Sequence, residues 1–528
     1  MKSYYQHLKS TQEFGESENL LKKPVLRSSA IFPVIHNESY SSSIHFLGYW
    51  LLKRNIQEIT LVITLRNSDG KILLRKIQII NQAKAFSINL KNLLEETNLD
   101  NLKNFIGSIE TEFNSTRDMV FPYPALVLEY HNDNFNTCVH TLGRIYNDIE
   151  DLKENDETLV PETGFDIHES NDLTSFLSFV NGPLENSDGY IQYTITNHDS
   201  KKLTGDFHLG KINPFETKFV YLKEHIPNLC EFLNNQSGSV SLTHNFEGFY
   251  PRFLAGNIQK SFPSVSFTHS YYDCTSCISE SDYWSRVNEN HFDSSIYVPI
   301  FQKNNQFTDL IIYPNLSPSN FILQIDIHDK NGKKISENTN FLELNSNEQK
   351  LIKVNLNSII SSLDLSTKDD DVAAHIITKF QNNKIPSRIK FGLDVGMKGL
   401  NSKLPCNICF NMRLGNPLLE NKPGSFHWAP MFYGRNTVLT LGNFSTKKNY
   451  EKNANLELNF YRIEDSSFLT EKISLKPNSE KRFTMNDFNL KNFLKTEGWV
   501  TIRADNPYVH GYYFNMNSSG SVAGDHLF

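Results

Sequence analysis

The feature that most constrains this chain is an internal repeat. Four segments open in a comparable way: "IFPVIHNESY" from Ile31, "GFDIHESNDL" from Gly164, "YVPIFQKNNQ" from Tyr297 and "WAPMFYGRNT" from Trp428. With Pro33, Asp166, Pro299 and Pro430 as equivalent marks, the spacings are 133, 133 and 131 residues. Self-similarity at a fixed long period is the signature of one supersecondary unit copied in tandem, and it frames every local reading.

Within each copy the next landmark is an alternating run that ends in a polar turn. "LVITLRNSDGKIL" (Leu61–Leu73), "YIQYTITNHDSKKL" (Tyr190–Leu203), "FILQIDIHDKNGKKI" (Phe321–Ile335) and "LELNFYRIEDSSFL" (Leu456–Leu469) carry apolar or aromatic residues at period two. That period puts them on one face of a pleated strand, and Asp69-Gly70 and Asn331-Gly332 are hairpin-turn chemistry. A short helix-like patch follows: "NLKNLLEETNL", "LKEHIPNLCEFL", "NLNSIISSLDL" and "DFNLKNFLKTE". None is long enough for a crossover between parallel strands, so each reads as a connector of one or two turns. Strands opened by Gly107, Gly238 and Gly498, with Ala373 in the third copy, come next, then turns marked by Pro122, Pro251, Pro386 and Pro507. Each copy closes on a strand in which His140, His269, Asn411 and His526 are equivalent.

Six to eight short strands per copy, polar turns and almost no helix predict an all-β chain. The expected architecture is four tandem antiparallel β-sandwich repeats, jelly-roll or Ig-like, of about 130 residues, each with a short helical connector. The expected domains are 1–150 with an N-terminal extension, 151–290, 291–420 and 421–528. The less regular stretches Asn147–Pro161, Cys274–Phe292 and Leu414–Ser425 read as linkers. They contain or adjoin Tyr146, Leu152, Tyr283, Trp284 and Leu418, so neighbouring sandwiches are expected to dock on one another.

Composition narrows the function. Lys plus Arg number 52 against 59 Asp plus Glu, a net charge of −7 without long single-sign runs, which does not support a nucleic-acid footprint. With 38 Phe and 22 Tyr there is ample apolar material for several cores. No run of about 18 apolar residues would span a membrane. The N-terminus shows no secretory signal, so a cytoplasmic location is expected, with surface or virion association left open. Six cysteines are sparse for 528 residues and read as thiols rather than a disulfide framework.

The last copy, Phe426–Phe528, resembles the small β-sandwich of the sensory rhodopsin transducer family. The resemblance lies in the opening strand with Trp428, "LTLGNF" before a variable turn, "LELNFYRIED", "KRFTMNDF" and "VTIRADNPYVHGYY". It covers about a fifth of the chain, and more faintly the other copies. It implies a module that binds partners and assembles as a tetramer, and it assigns no functional residue; tandem repetition departs from that family.

Few constellations suggest chemistry. Cys274/Cys277 and Cys406/Cys409 are CxxC pairs, but 128 residues separate them and they fall at different points of the repeat, so no metal site is expected. His244, His269 and His291 with Asp273 lie in one stretch and could converge, yet none of the 17 histidines has metal-ligand spacing on a helix. A nucleophile elbow, a P-loop and a dinucleotide fingerprint are all missing, so neither catalytic residues nor a cofactor are assigned. The aromatic groups Tyr271/Tyr272, Tyr283/Trp284 and Tyr512/Tyr513, with His269 and His526, are the candidate ligand-binding residues, since flat rings beside polar groups suit a sugar or peptide. One ring of each strand pair should be buried, because neighbours on a strand face opposite sides. The expected function is a non-catalytic binding or scaffolding protein for a carbohydrate or protein partner. The alternatives are a carbohydrate-active enzyme or accessory subunit with its site between modules, and a structural component of a surface layer or virion.

Overall fold

A computed structural model describes residues 24–97, 103–120, 123–140, 162–246, 253–272, 283–284, 289–303, 305–363, 371–386, 389–415 and 417–528. The chain is all-β and its sheets are antiparallel. It forms two compact units, one built mainly from Met1–Asn197 and Lys201–Tyr272, the other mainly from Asp273–Arg462 and Ser467–Phe528.

The first unit begins with β1 (Arg27–His36), β2 (Ser41–Leu47), β3 (Ile59–Asn67), β4 (Ile72–Ile80), β5 (Ala85–Asn89), β6 (Phe105–Asn114), β7 (Leu126–His131) and β8 (Asn136–His140). They form two sheets, in the orders β1-β6-β3-β4 and β5-β2-β7-β8. Phe113 of β6 joins the two sheets, meeting Phe46 of β2 edge-on at 5.4 Å and lying 4.5 Å from Trp50 of the short helix α1 (Tyr49–Lys53). The expected Asp69-Gly70 turn closes the β3–β4 hairpin, with Gly70 at φ 84°. The first helix-like patch is the helix α2 (Leu90–Glu95), started by Asn89, whose side chain accepts from the Asn92 N–H.

The same unit continues with β9 (Asp166–His168), β10 (Leu173–Val180), β11 (Asn186–Thr196), β12 (Lys202–Ile212), β13 (Thr217–Tyr221), β14 (Ser237–His244), β15 (Leu254–Gln259) and β16 (Ser264–His269). The orders are β9-β14-β11-β12 and β13-β10-β15-β16, with α3 (Leu222–His225) and α4 (Leu229–Leu233) between β13 and β14. Phe179 stacks on Phe246 at 4.9 Å and meets Phe253 edge-on at 5.3 Å in this core. The two groups of sheets in this unit pack on one another. Strands β8 and β16 lie side by side, the Phe267 N–H donating to Thr137 Oγ1 at 3.1 Å. The β3–β4 turn seats on the β12–β13 turn: the Thr217 N–H donates to the Ser68 carbonyl at 2.8 Å, and the Arg66 guanidinium covers the Phe215 ring at 4.4 Å. Phe215 holds a left-handed φ of 58° there, which is strained for a bulky residue.

The second unit holds β17 (Ser294–Ile300), β18 (Gln306–Ile312), β19 (Phe321–Asp329), β20 (Lys334–Leu344), β21 (Ile352–Asn355), β22 (Val372–Phe380), β23 (Lys390–Met397) and β24 (Cys406–Asn411). These pair as β17-β22-β19-β20 and β21-β18-β23-β24, with α5 (Leu356–Ser362) capped by the Asn355 side chain. Then come β25 (Ser425–Phe432), β26 (Thr437–Asn443), β27 (Ala454–Arg462), β28 (Phe468–Leu475), β29 (Glu480–Thr484), β30 (Glu497–Ala504), β31 (Val509–Met516) and β32 (Val522–His526), with α6 (Leu490–Leu494). Their orders are β25-β30-β27-β28 and β29-β26-β31-β32.

The two groups of sheets in this unit share apolar surface. Phe301 meets Phe514 edge-on at 4.9 Å, Tyr297 stacks on Phe444 at 5.1 Å, and the Tyr512 hydroxyl donates to the Tyr297 carbonyl at 2.9 Å. The Asn331-Gly332 turn, with Gly332 at φ 86°, packs on the carbonyl of Pro477. The stretch Leu414–Ser425 is not a bare linker: Arg413–Leu414 adds to the edge of β17, and Pro417–Asn421 is a 3₁₀ turn. The Arg413 guanidinium holds the carbonyls of Pro507 and Val509 at 3.2 and 3.0 Å, which ties the segment down. Among the described residues no helix is long and apolar enough to cross a membrane.

Candidate ligand-binding cleft

Strand-connecting loops of the second unit line an open cleft of about 490 Å³. The loop after β17 ends on Asn305 and the loop after β25 ends on Asn436, each one residue before the next strand. Both asparagines are left-handed, at φ 61° and 51°. Asn tolerates that region because its short polar side chain bonds locally, so the sequence turns the corner and still presents a carboxamide. The Gln306 N–H closes the first turn onto the Lys303 carbonyl at 2.9 Å, and the Lys398 N–H holds the Asn305 carbonyl at 3.0 Å. In the second turn Thr437 Oγ1 accepts from the Phe432 N–H at 2.8 Å and donates to Asn515 Oδ1 at 2.6 Å. The Asn436 amide donates to the Met516 carbonyl at 3.4 Å.

The loops before β24 and β32 supply the remaining wall. Asn517 is buried and its amide donates to the Ser521 carbonyl at 3.2 Å, which fixes the β31–β32 turn beside Ser518. Leu400 leans on Gly520, whose φ of 91° no ordinary side chain would share. Met397 and Met516 complete the apolar part. None of the eight lining residues is charged. Four carboxamides and a hydroxyl offer paired donors and acceptors beside a thioether and aliphatic surface. Such a lining can hold a neutral ligand that combines hydroxyl or amide groups with an apolar face.

The residues singled out in the sequence fall elsewhere. Tyr271–Tyr272 form a two-residue strand opposite Glu162–Thr163, and Tyr283–Trp284 one opposite Ile385–Pro386, while their side chains lie outside the described residues. Tyr512 and Tyr513 are both fully buried, which corrects the expectation that one ring of the pair faces solvent. The reason is that both faces of the sheet β29-β26-β31-β32 are covered: Tyr512 packs against Tyr297 of β17 at 5.9 Å in a shared apolar cluster. His269 and His526 end β16 and β32, as His140 ends β8 and Asn411 ends β24. In both His269 and His526 the ring Nδ1 donates to the carbonyl of the next residue, Ser270 at 2.8 Å and Leu527 at 2.9 Å. His269 also meets His140 edge-on at 4.6 Å.

His244 does not join His269; it is stacked on Phe246 at 4.7 Å, and burial lowers its pKa to about 4. His291 pairs with Glu420 at 3.2 Å in the other unit, and Asp273 lies outside the described residues. Cys406 and Cys409 are buried, the Cys406 thiol directed at the Gly524 carbonyl at 3.5 Å, while Cys274 and Cys277 lie outside the described residues.

Two buried polar groupings escaped the sequence reading. On the β5-β2-β7-β8 sheet Glu129 accepts from His45 at 3.0 Å and from the Asn136 amide at 2.9 Å, beside Ser43 and His131 at 2.8 Å. In the second unit Glu480 pairs with Arg482, whose guanidinium also donates to the carbonyls of Ile300 and Val372, both at 3.0 Å. Burial raises the Glu480 carboxyl above its usual range, with Arg482 opposing. Alternating polar residues in "SSSIHF" and "SEKRF" read as solvent-facing because period two identifies a second face without saying what covers it. No family model and no curated protein matches this chain.

Proposed function

We propose that the chain is a fourfold tandem of one β-sandwich module and works as a non-catalytic binding or scaffolding protein. The module boundaries in this reading are near residues 150, 290 and 420. Its support is topological: within each set of eight strands the first pairs with the sixth, the sixth with the third, and the second with both the fifth and the seventh. Pro33, Asp166, Pro299 and Pro430 all sit on the first strand of a set, opposite Ser108, Ser239, Ala373 and Trp499 on the sixth. The likeness of Phe426–Phe528 to the sensory rhodopsin transducer sandwich adds the reading of a partner-binding module.

The observation that carries the binding role is the uncharged, carboxamide-lined cleft. A carbohydrate fits its chemistry, since each carboxamide can both donate to and accept from hydroxyls while Met397, Leu400 and Met516 face the C–H surface of a ring. The test is a glycan binding screen on the intact chain, repeated with Asn305→Gly and Asn436→Gly together. Glycine keeps both left-handed turns and deletes both amides. Losing two hydrogen-bonding groups should weaken a bound glycan about tenfold or more. Unchanged affinity in the double variant would move the site elsewhere, and turnover of the glycan would favour the enzyme reading.

A further inference from the structure

One face of the sheet β21-β18-β23-β24 puts Val354, Leu310, Leu393 and Ile408 into the core of the second unit. The opposite face carries Lys353 of β21, Asp394 of β23 and Asn407 of β24, bound to one another. Asp394 is 1% exposed, lies directly opposite Asn407 on the neighbouring strand, and accepts from the Asn407 Nδ2 on its Oδ1 at 2.7 Å. Its other oxygen, Oδ2, holds Lys353 Nζ at 2.9 Å. An amine and a carboxamide therefore sit on the two oxygens of a single buried carboxylate. Asn407 Nδ2 also donates to the Tyr313 hydroxyl at 3.3 Å, which uses both amide hydrogens and fixes the plane of the group. Asn407 Oδ1 is buried with no hydrogen-bond partner among the described residues. Ile311, Tyr313 and Leu351 cluster on the same face and give it an apolar surround. Gly392 makes room for the Tyr313 ring, since a Cβ there would collide with its hydroxyl. The carboxamide of Asn355, on the same face, is bound by Asp309 at 2.5 Å instead.

We propose that Lys353 and Asn407 join in an isopeptide bond made by the folded chain itself, with Asp394 as the acid and base of the reaction. An amine and an amide free in neutral water are inert toward each other, but reactants held in fixed geometry out of solvent gain the rate that dilution denies them. Asp394 takes a proton from the Lys353 ammonium through Oδ2, which frees the Nζ lone pair. Nζ attacks Asn407 Cγ, so that the new C–N bond forms and the carbonyl opens to a tetrahedral carbon with its charge on Oδ1. Asp394 gives its proton to Nδ2, to which it is already hydrogen-bonded, and takes a second proton from Nζ. The carbonyl re-forms, the Cγ–Nδ2 bond breaks, and the leaving ammonia carries that second proton away as ammonium. One amide is made for one ammonium released, Asp394 returns as a carboxylate, and nothing is oxidised or reduced. Because β21 and β24 are the two edges of the sheet, the bond ties all four strands across.

Mass spectrometry of the purified full chain tests this. The intact mass should fall below the sequence mass by one ammonia, about 17 Da. A tryptic digest should yield residues 351–368 and 404–413 as one branched species, uncut after Lys353. Asp394→Asn keeps both reactants and the shape of the site; it should restore the full mass and the two separate peptides with an unchanged circular dichroism spectrum. Lys353→Arg should likewise restore the full mass. The parent chain needs no variant to decide the matter. A parent of full sequence mass that is cut after Lys353, an ammonia loss without the joined peptides, which marks ring closure of an asparagine on its own backbone, or a branched species that persists in Asp394→Asn would each overturn the proposal.

Discussion

Acid should destabilise the second unit through one ring, His375. Its side chain is 4% exposed and lies among Phe444 at 5.3 Å, Phe292 at 6.0 Å and His328 at 6.4 Å. Burial, helped by His328 and Lys334, lowers its pKa from 6.5 to about 3. Asp326 on β19 and Tyr297 on β17 are its neighbours across the sheet. Between those two values the unfolded chain binds a proton at this position and the folded chain does not, so stability is present above pH 6.5 and lost as pH falls. At roughly 1.4 kcal/mol per pH unit, pH 4.5 should cost about 2–3 kcal/mol from this residue alone. His375→Phe keeps an aromatic ring and removes the proton site. Urea unfolding at pH 7.5 and pH 4.5 should show the parent chain losing about 2–3 kcal/mol more than the variant. Equal losses in both proteins would refute the assignment of acid sensitivity to this ring.

Three further outcomes are expected. Gly332→Ala should cost about 1–2 kcal/mol for the left-handed backbone, plus the separation of its turn from the Pro477 carbonyl, whereas Gly399→Ala, left-handed at φ 78° with open space at Cβ, should cost the backbone term alone; thermal unfolding compares them. Tyr512→Phe removes the hydroxyl bound to the Tyr297 carbonyl and should destabilise the unit by about 1 kcal/mol in urea titrations. Elemental analysis of protein purified without chelators should find no stoichiometric zinc, and Cys406→Ser should leave the metal content unchanged; one zinc per chain, lost in that variant, would reverse the reading of the cysteines.

Strands, hairpins and connectors were legible because they rest on local rules. Period two in "LVITLRN" and "FILQIDIHD" gives β3 and β19, Gly70 and Gly332 take the positive φ their turns require, and the helix-like patches fold as the short helices α2 and α5. What the sequence could not convey was which faces meet other sheets. Tyr512 and Tyr513 looked like one buried and one exposed ring, yet a covered second face buries both. The same ignorance hid Glu480 and Arg482, since an acid and a base two residues apart on a strand look like solvated edge chemistry until a neighbouring sheet closes over them. The cleft was invisible for a different reason: its walls come from loops more than 200 residues apart, from Asn305 to Ser518, and no local signal marks their convergence.

The left-handed backbone of Phe215 has a consequence for how such a chain can be divided. A bulky side chain at φ 58° costs on the order of 1–3 kcal/mol and persists only while its surroundings hold it. Here the surroundings belong to the preceding sheets, through Arg66 over the ring and Ser68 bound to the Thr217 N–H. Cut away from those sheets, the β12–β13 corner would be free to relax to an ordinary conformation, and the surface that fits the β3–β4 turn would be lost with it. For gene rearrangement, the piece that can be moved intact is therefore the whole compact unit rather than either half of it, and a boundary drawn within the unit by length alone would separate a lock from its key.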